Sequence, residues 1–268
     1  MFGYRHPRRP GKIFREVYVY PTVHRIQQLF PRGLKGIIFD CDGVLFDSRA
    51  SNIQYYNLIL GALGQPPMSP EDEDYTHMAS VGQSLARIVP PALMPKLPEA
   101  RKRIVYRRDI LPLLEPEPGL MELLRWLRDA GFRRGICTNR TTTMEYVLDH
   151  FGMTELFFPV MTAARVRAKP HPEGLCATLD AWGLARDEVA FIGDTIADQE
   201  TARMAGVCFW AYRSPALTAR LHLDDFWALR RVLAEYGRGQ CGRERGHMPG
   251  QGNGRGVGLG RVTPRAAR

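Results

Sequence analysis

The 268-residue chain reads as an α/β protein, a parallel sheet with helices on both faces plus an inserted helical domain. Three observations predict this. From Pro116 onward, short apolar runs alternate with amphipathic runs of about ten to fifteen residues, a pattern that calls for right-handed crossovers and a parallel sheet. Upstream, Gly36–Phe39 is an apolar, β-branched run that ends abruptly in carboxylates: Asp40, Asp42 and Asp47 within KGIIFDCDGVLFDS. Between the two, residues 49–112 show helical spacing and no strong strand signal.

Residues 1–34 open with Arg, Pro and Gly. They continue with the apolar patch IFREVYVYP and a helix near Thr22–Phe30. Val17 and Val19, interleaved with tyrosines, suit an edge strand or packing on the body, and a loosely ordered extension is expected. Arg49–Gly64 places Ile53, Tyr56, Leu60 and Leu63 on one helical face, and Gln65-Pro66-Pro67 stops it. Glu71–Asp74 introduces a short helix that Val81-Gly82-Gln83 breaks. Ser84–Val89 and Pro98–Ile110 read as further helices.

Gly119–Ala130 sets Leu120, Leu123, Leu124 and Leu127 on one face, with Gly131 as its stop. In order there follow the strand Arg134–Cys137, the helix Thr141–Phe151, the apolar Leu156–Met161 and the helix Pro172–Trp182. The strand Glu188–Ile192, the helix Ala197–Ala205, the strand Val207–Tyr212 and a closing helix Asp224–Tyr236 complete the series. Trp182, Trp210 and Trp227 are expected in the core. The last 32 residues, 237–268, hold ten glycines and seven arginines, a composition that cannot fold alone.

Hydrophobic residues make up 44% and charged residues 24% of the chain, as in ordinary soluble proteins. No apolar run approaches the roughly 18 residues that span a bilayer, and the basic N-terminus lacks the apolar core of a secretory signal. The five cysteines are scattered, without zinc spacing or a C-x-x-C pair, so a reducing cytoplasm and buried, unreactive thiols are expected. The net charge of +9 sits at the ends: residues 1–34 and 237–268 each carry +6, leaving the body at −3. Nucleic-acid contact therefore belongs to the basic tails alone.

Open parallel sheets place ligands beyond the carboxyl ends of their strands. Here one strand yields Asp40 and Asp42, and the next Thr138-Asn139. Lys169-Pro170 follows a third, and a fourth ends in Gly193-Asp194-Thr195, with Asp198 four residues past Asp194. These types suit phosphoryl transfer. A carboxylate can accept a phosphoryl group, and its oxygens then need cations and donors. Oxygen ligands favour a hard ion, Mg²⁺, between Asp40 and Asp194. Lys169 adds a second positive charge, Thr138 a hydroxyl donor, and Asp42 an acid for the leaving oxygen.

With FDCDGVLFDS, ICTNR, AKPHPEG and FIGDTIAD in this order, residues 35–236 resemble the haloacid dehalogenase (HAD) superfamily, in its phosphoglycolate phosphatase and β-phosphoglucomutase-like branch. The resemblance implies a Rossmann-like core of residues 35–48 and 113–236 and a helical cap of residues 49–112, while composition marks a basic extension 1–34 and a disordered tail 237–268. It implies Asp40 as nucleophile and metal ligand, and Asp42 as general acid/base whose backbone carbonyl also reaches Mg²⁺. Thr138, Asn139 and Lys169 serve the phosphoryl group, Asp194 the metal, and Asp198 supports that acidic motif. Asp42 argues against dehalogenation and phosphonate hydrolysis.

The expected activity is hydrolysis of a small phosphorylated metabolite by a cytoplasmic monomer or homodimer. In the cap, His77, Gln83 and Arg87 are candidates for reading the leaving group. Two alternatives stay open: a phosphomutase, and a nucleic-acid- or partner-binding protein that acts through its basic ends.

Overall fold

The computed structural model describes residues 18–79 and 81–245. Helix α1 (Val23–Leu29) begins at Thr22, whose hydroxyl accepts from Arg25 N–H as an N-cap. After it comes β1 (Gly36–Phe39), fully buried, then the short β2 (Phe46–Asp47). Five helices follow: α2 (Arg49–Ala62), α3 (Pro70–Met78), α4 (Val81–Ile88), α5 (Leu97–Lys102) and α6 (Tyr106–Asp109). The chain returns through β3 (Glu115–Pro116), which pairs antiparallel with β2. All five helices are therefore strung between the two strands of one small ribbon.

Beyond β3 the strand–helix alternation is regular: α7 (Leu120–Asp129), β4 (Arg133–Thr138), α8 (Met144–His150), β5 (Val160–Thr162), α9 (Glu173–Trp182), β6 (Val189–Gly193), α10 (Ile196–Ala205), β7 (Cys208–Tyr212), β8 (Leu221–Leu223) and α11 (Phe226–Arg245). The main sheet runs β5-β4-β1-β6-β7-β8, and every pairing in it is parallel. From β1 the chain builds outward on one side through β4 and β5. It then crosses back to place β6 against the other edge of β1. That reversal opens a crevice at the carboxyl ends of the central strands.

Alternation along the strands feeds two cores. Ile37 and Phe39 join α1, α7, α8 and α11 on one face, while Ile38 joins Leu175 and Leu179 of α9 and Ala202 of α10 on the other. The four leucines expected on one side of α7 are all fully buried, each contributing about 1.5–3 kcal/mol relative to exposure. The inserted helices gather a separate apolar cluster of Tyr56, Ile59, Leu60, Met68, Leu85, Val89 and Leu97.

Several local expectations need correction. Val81-Gly82-Gln83 does not break a helix but forms the first turn of α4. Pro98–Ile110 is two helices rather than one, interrupted at Arg103-Ile104-Val105. Trp210 and Trp182 are buried, but Trp227 is 45% exposed. Among the cysteines, Cys41 and Cys137 are buried as expected, whereas Cys176 is exposed.

Residues 18–34 are not a loose arm. Ile26, Phe30 and Leu34 belong to the main core, Leu34 N–H donates to Tyr236 Oη at 2.9 Å, and His222 N–H donates to Val19 O at 2.8 Å. At the other end, α11 continues past Tyr236 to Arg245. Extending an existing helix needs no new nucleus, so a glycine-rich sequence can follow on where it could not begin. The expectations for residues 1–17 and 246–268 lie outside the described residues.

Candidate active site

Phe39 is level with Ile136 of β4 and Ile192 of β6 in the sheet register. Asp40, Thr138 and Asp194 therefore emerge along one rim, and Asp40 N–H donates to Ile192 O at 2.9 Å, continuing the ladder one residue past β1. The loop between β5 and α9 carries Lys169 to the same place. Its Nζ lies 2.7 Å from Asp40 Oδ1 and 2.5 Å from Asp198 Oδ1, with all three side chains buried. Buried charges persist only when paired, so this trio is a mutual requirement.

Asp198 is placed by the start of α10. Its Oδ2 accepts from Thr195 N–H (3.0 Å), Thr195 Oγ1–H (2.5 Å) and Asp194 N–H (3.3 Å), while Thr195 Oγ1 caps the helix by accepting from Asp198 N–H. Asp194 is held from behind, where Ser214 Oγ–H donates to its carbonyl at 2.6 Å. Thr195 stands in the sequence as part of the strand end Gly193-Asp194-Thr195, with no role of its own assigned to it. The capping pattern of Thr195 with Asp198 was the available signal for Thr195. Nothing in sequence flags Ser214.

Asp40, Asp194 and Asp198 each offer a carboxylate oxygen within 4.8 Å of the others. Burial pushes Asp40 up to about 7, against the pull of Lys169 and with a further push from Asp198. Burial also drives Asp194 up to about 8, helped by the negative charges of Asp40 and Asp198. Lys169 is raised despite its burial, because Asp198 and Asp40 face it. Asp194 Oδ1 is buried without a hydrogen-bond partner. Gly43, at φ +75°, lies so close that a Cβ there would sit 2.0 Å from Asp194 Oδ2. An unpartnered oxygen among carboxylates short of positive charge, with no nitrogen or sulfur donor in the set, fits a hard divalent cation.

Thr138 and Asn139 stand where β4 ends. Thr138 Oγ1 accepts from Arg140 N–H at 3.1 Å, so its own hydrogen remains to be donated. The side chain of Asn139 turns to Lys169: Oδ1 accepts from Lys169 N–H at 2.7 Å, and Nδ2 donates to Lys169 O at 3.2 Å. Asp42 lies apart from the acidic trio, in a two-pronged pair with Arg140 at 2.6 and 2.8 Å. Burial would raise the Asp42 carboxyl, but the Arg140 guanidinium holds it below the usual carboxylate range, with a hydrogen bond from Ser48 adding to the effect. Asp47 is not part of the cluster; its Oδ1 accepts from Arg49 N–H at the start of α2.

Of the three candidates in the insert, Arg87 is committed locally. Its guanidinium pairs with Asp72 at 2.7 Å and Glu71 at 2.8 Å and lies over the Tyr75 ring. Gln83 is exposed in the first turn of α4. The side chain of His77 lies outside what the structure describes.

A six-stranded parallel sheet with helices on both faces carries an acidic cluster and a buried lysine at its carboxyl rim, the ligand position of a Rossmann-like α/β fold. Residues 37–212 match the haloacid dehalogenase-like hydrolase family, and the chain belongs to it. It is 31% identical over 218 residues to a phosphoglycolate phosphatase of Agrobacterium fabrum, covering 74% of this chain and 91% of that one. It is 30% identical over 183 residues to an N-acetylmuramic acid 6-phosphate phosphatase of Pseudomonas aeruginosa, covering 65% and 79%. Among solved structures, a HAD-superfamily hydrolase of subfamily IA, variant 1, from Geobacter sulfurreducens superposes with a TM-score of 0.65 at 33% identity, covering 76% of this chain and all of that one. Among the described residues no helix is long and apolar enough to cross a membrane.

Proposed function

We propose that the protein is a phosphatase of small phosphomonoesters that works through an aspartyl-phosphate on Asp40 and requires Mg²⁺. The observation that carries this is the Asp40–Lys169–Asp198 trio beside Asp194, with Asp42 two residues beyond Asp40. Phosphatases among the relatives support it.

Asp40, Asp194 and the backbone carbonyl of Asp42 are the proposed ligands of the cation, with Asp198 supporting them through Lys169 and Thr195. The bound ion supplies positive charge at the phosphoryl oxygens, which would otherwise be repelled by the carboxylates. Lys169 Nζ–H and Thr138 Oγ1–H donate to those oxygens. An oxygen of Asp40 bonds to phosphorus as the ester P–O bond breaks, and Asp42 gives its proton to the departing oxygen. Water then loses a proton to Asp42 and attacks phosphorus. The Asp40–phosphorus bond breaks and inorganic phosphate leaves. Asn139 acts on this site by fixing the backbone of Lys169.

The inserted residues 49–112 serve as a cap over the crevice, within a core of residues 35–48 and 113–236. Four free cysteines among the described residues are in keeping with a cytoplasmic setting.

The experiment is phosphate release from a panel of esters that includes phosphoglycolate, sugar 6-phosphates and a sugar 1-phosphate, in Mg²⁺ and then in chelator. Activity is expected with Mg²⁺ alone and should be abolished by Asp40→Asn. An equally active Asp40→Asn variant sinks the mechanism. A requirement for a sugar bisphosphate with little net phosphate release makes the protein a phosphomutase instead.

A further inference from the structure

The Asp42 carboxylate is turned toward Arg140. Both of its carboxylate oxygens accept from one guanidinium, Nε of Arg140 to Oδ2 at 2.8 Å and Nη2 to Oδ1 at 2.6 Å. Such a fork fixes geometry, and its charge-assisted bonds are about twice as strong as neutral ones. Arg140 is itself largely enclosed, with 10% of its side chain exposed. Its remaining nitrogen, Nη1, donates to the Tyr106 hydroxyl.

Tyr106 opens α6, which belongs to the inserted helices. That short helix is rooted on the core. The guanidinium of the next residue, Arg107, lies 4.3 Å from the Tyr146 ring centre, and its Nη2 is 3.9 Å from Asp149 Oδ2. A chain of direct contacts thus joins the insert to Asp42 through Tyr106 and Arg140. The same turn reaches the phosphoryl site, since Arg140 N–H donates to Thr138 Oγ1.

We propose that Arg140 is a positioning residue that withholds the proton carrier Asp42 between turnovers, and that Tyr106 ties this hold to the inserted helices. The inference rests on Asp42 carrying the proton in the reaction above. To protonate a departing alkoxide, Asp42 must first leave the fork and take up a proton from water, because in the fork both of its oxygens accept from Arg140. A leaving group that departs as a stable anion makes no such demand. The fork therefore slows only those esters that need the proton. Tyr106 restrains the guanidinium from the side of the insert, so displacement of α6 acts on the fork directly.

The test compares kcat/KM, which reports the steps through P–O cleavage, for glycerol 3-phosphate and for p-nitrophenyl phosphate, with Mg²⁺ present. The first needs a proton on its leaving oxygen and the second does not. In Arg140→Met the alkyl-to-aryl ratio is expected to rise about tenfold, the equivalent of one charge-assisted hydrogen bond. In Tyr106→Phe it should rise by a smaller factor. A brace with no part in proton transfer lowers both esters together and leaves the ratio unchanged, which overturns the proposal. A falling ratio makes Arg140 an aid to proton transfer and overturns it too.

If Arg140→Met does not fold, the wild-type protein crystallised with Mg²⁺ and beryllofluoride gives an independent reading. The Arg140–Asp42 fork should be open when beryllofluoride is attached to Asp40, and an intact fork overturns the proposal. Failure of the underlying mechanism looks different: Asp42→Asn would then slow both esters equally.

Discussion

Asn139 clasps the backbone of Lys169, with its side-chain amide meeting both the N–H (2.7 Å) and the C=O (3.2 Å) of that residue. The lysine comes from a loop 30 residues further along the chain, and this is how the end of β4 fixes where that loop delivers its ammonium. Asn139→Ala removes two hydrogen bonds of about 1 kcal/mol each. Phosphate release should fall about tenfold or more, because Lys169 Nζ is no longer held against Asp40. The melting temperature should drop by only about 2–4 °C per kcal/mol lost. Activity that falls no further than the loss of folded protein would show that the clasp does not position Lys169.

Asn139 also shows what was legible in the sequence. The placement of Asp40, Thr138 and Asp194 along the sheet rim follows from where each apolar strand gives way to a polar residue, because parallel strands end on one side. What each side chain touches did not follow. Asn139 reads as a phosphate donor but spends its amide on Lys169. Arg140 ends ICTNR with nothing in its spacing to mark it, although it holds Asp42. Contacts such as these join residues 98 and 30 positions apart, and their geometry depends on loops that hydrophobic periodicity does not describe. β8 was missed because three residues, Leu221–Leu223, are too few to show a period. The tail of α11 was missed because composition speaks to independent folding and not to continuation of a helix.

The acidic cluster gives the metal-free protein a definite pH dependence. Asp40 and Asp194 have native values of about 7 and about 8, against 3.8 for an ordinary aspartate. The native state therefore binds more protons than the unfolded chain between about pH 4 and pH 8, and stability falls as pH rises through that window. A cation that binds only the folded protein opposes the fall. Thermal melts in chelator should decline from pH 5 to pH 8, and the gain on adding Mg²⁺ should be larger at pH 8 than at pH 5. A gain independent of pH would place the ion away from these carboxylates.

Gly43 stands between Asp42 and Asp194 in space, and two constraints meet there. Its φ of +75° is a conformation that side-chain-bearing residues adopt at a cost of about 1–2 kcal/mol. An added Cβ would also lie 2.0 Å from Asp194 Oδ2, so the carboxylate must move. Gly43→Ala should raise the Mg²⁺ concentration needed for half-maximal activity, in addition to lowering stability. A variant with reduced stability and an unchanged Mg²⁺ titration would limit the role of Gly43 to the backbone turn.

Arg213 is the one non-glycine residue with positive φ among the described residues, at 45°. Its Nη1 lies 2.7 Å from Oε2 of Glu117, the buried carboxylate that also accepts from Tyr212 Oη–H at 2.8 Å. Two effects oppose each other in Arg213→Gly. Glycine relieves the backbone cost, about 1–2 kcal/mol, whereas loss of the ion pair leaves the buried Glu117 carboxylate unpaired, about 3–5 kcal/mol for a fully buried pair, and the Arg213 Nε–H bond to Asp224 O at 2.9 Å goes with it. The second effect is larger even after a discount for Arg213 being half-exposed, because Glu117 stays buried with a charge facing it no longer. Arg213→Gly should lower the urea midpoint. Adding Glu117→Gln to that variant should restore much of the loss, since an amide can keep the Tyr212 contact without an unpaired charge. If the double variant is as unstable as the sum of the singles, the residues are not coupled, and the strained backbone of Arg213 has another cause.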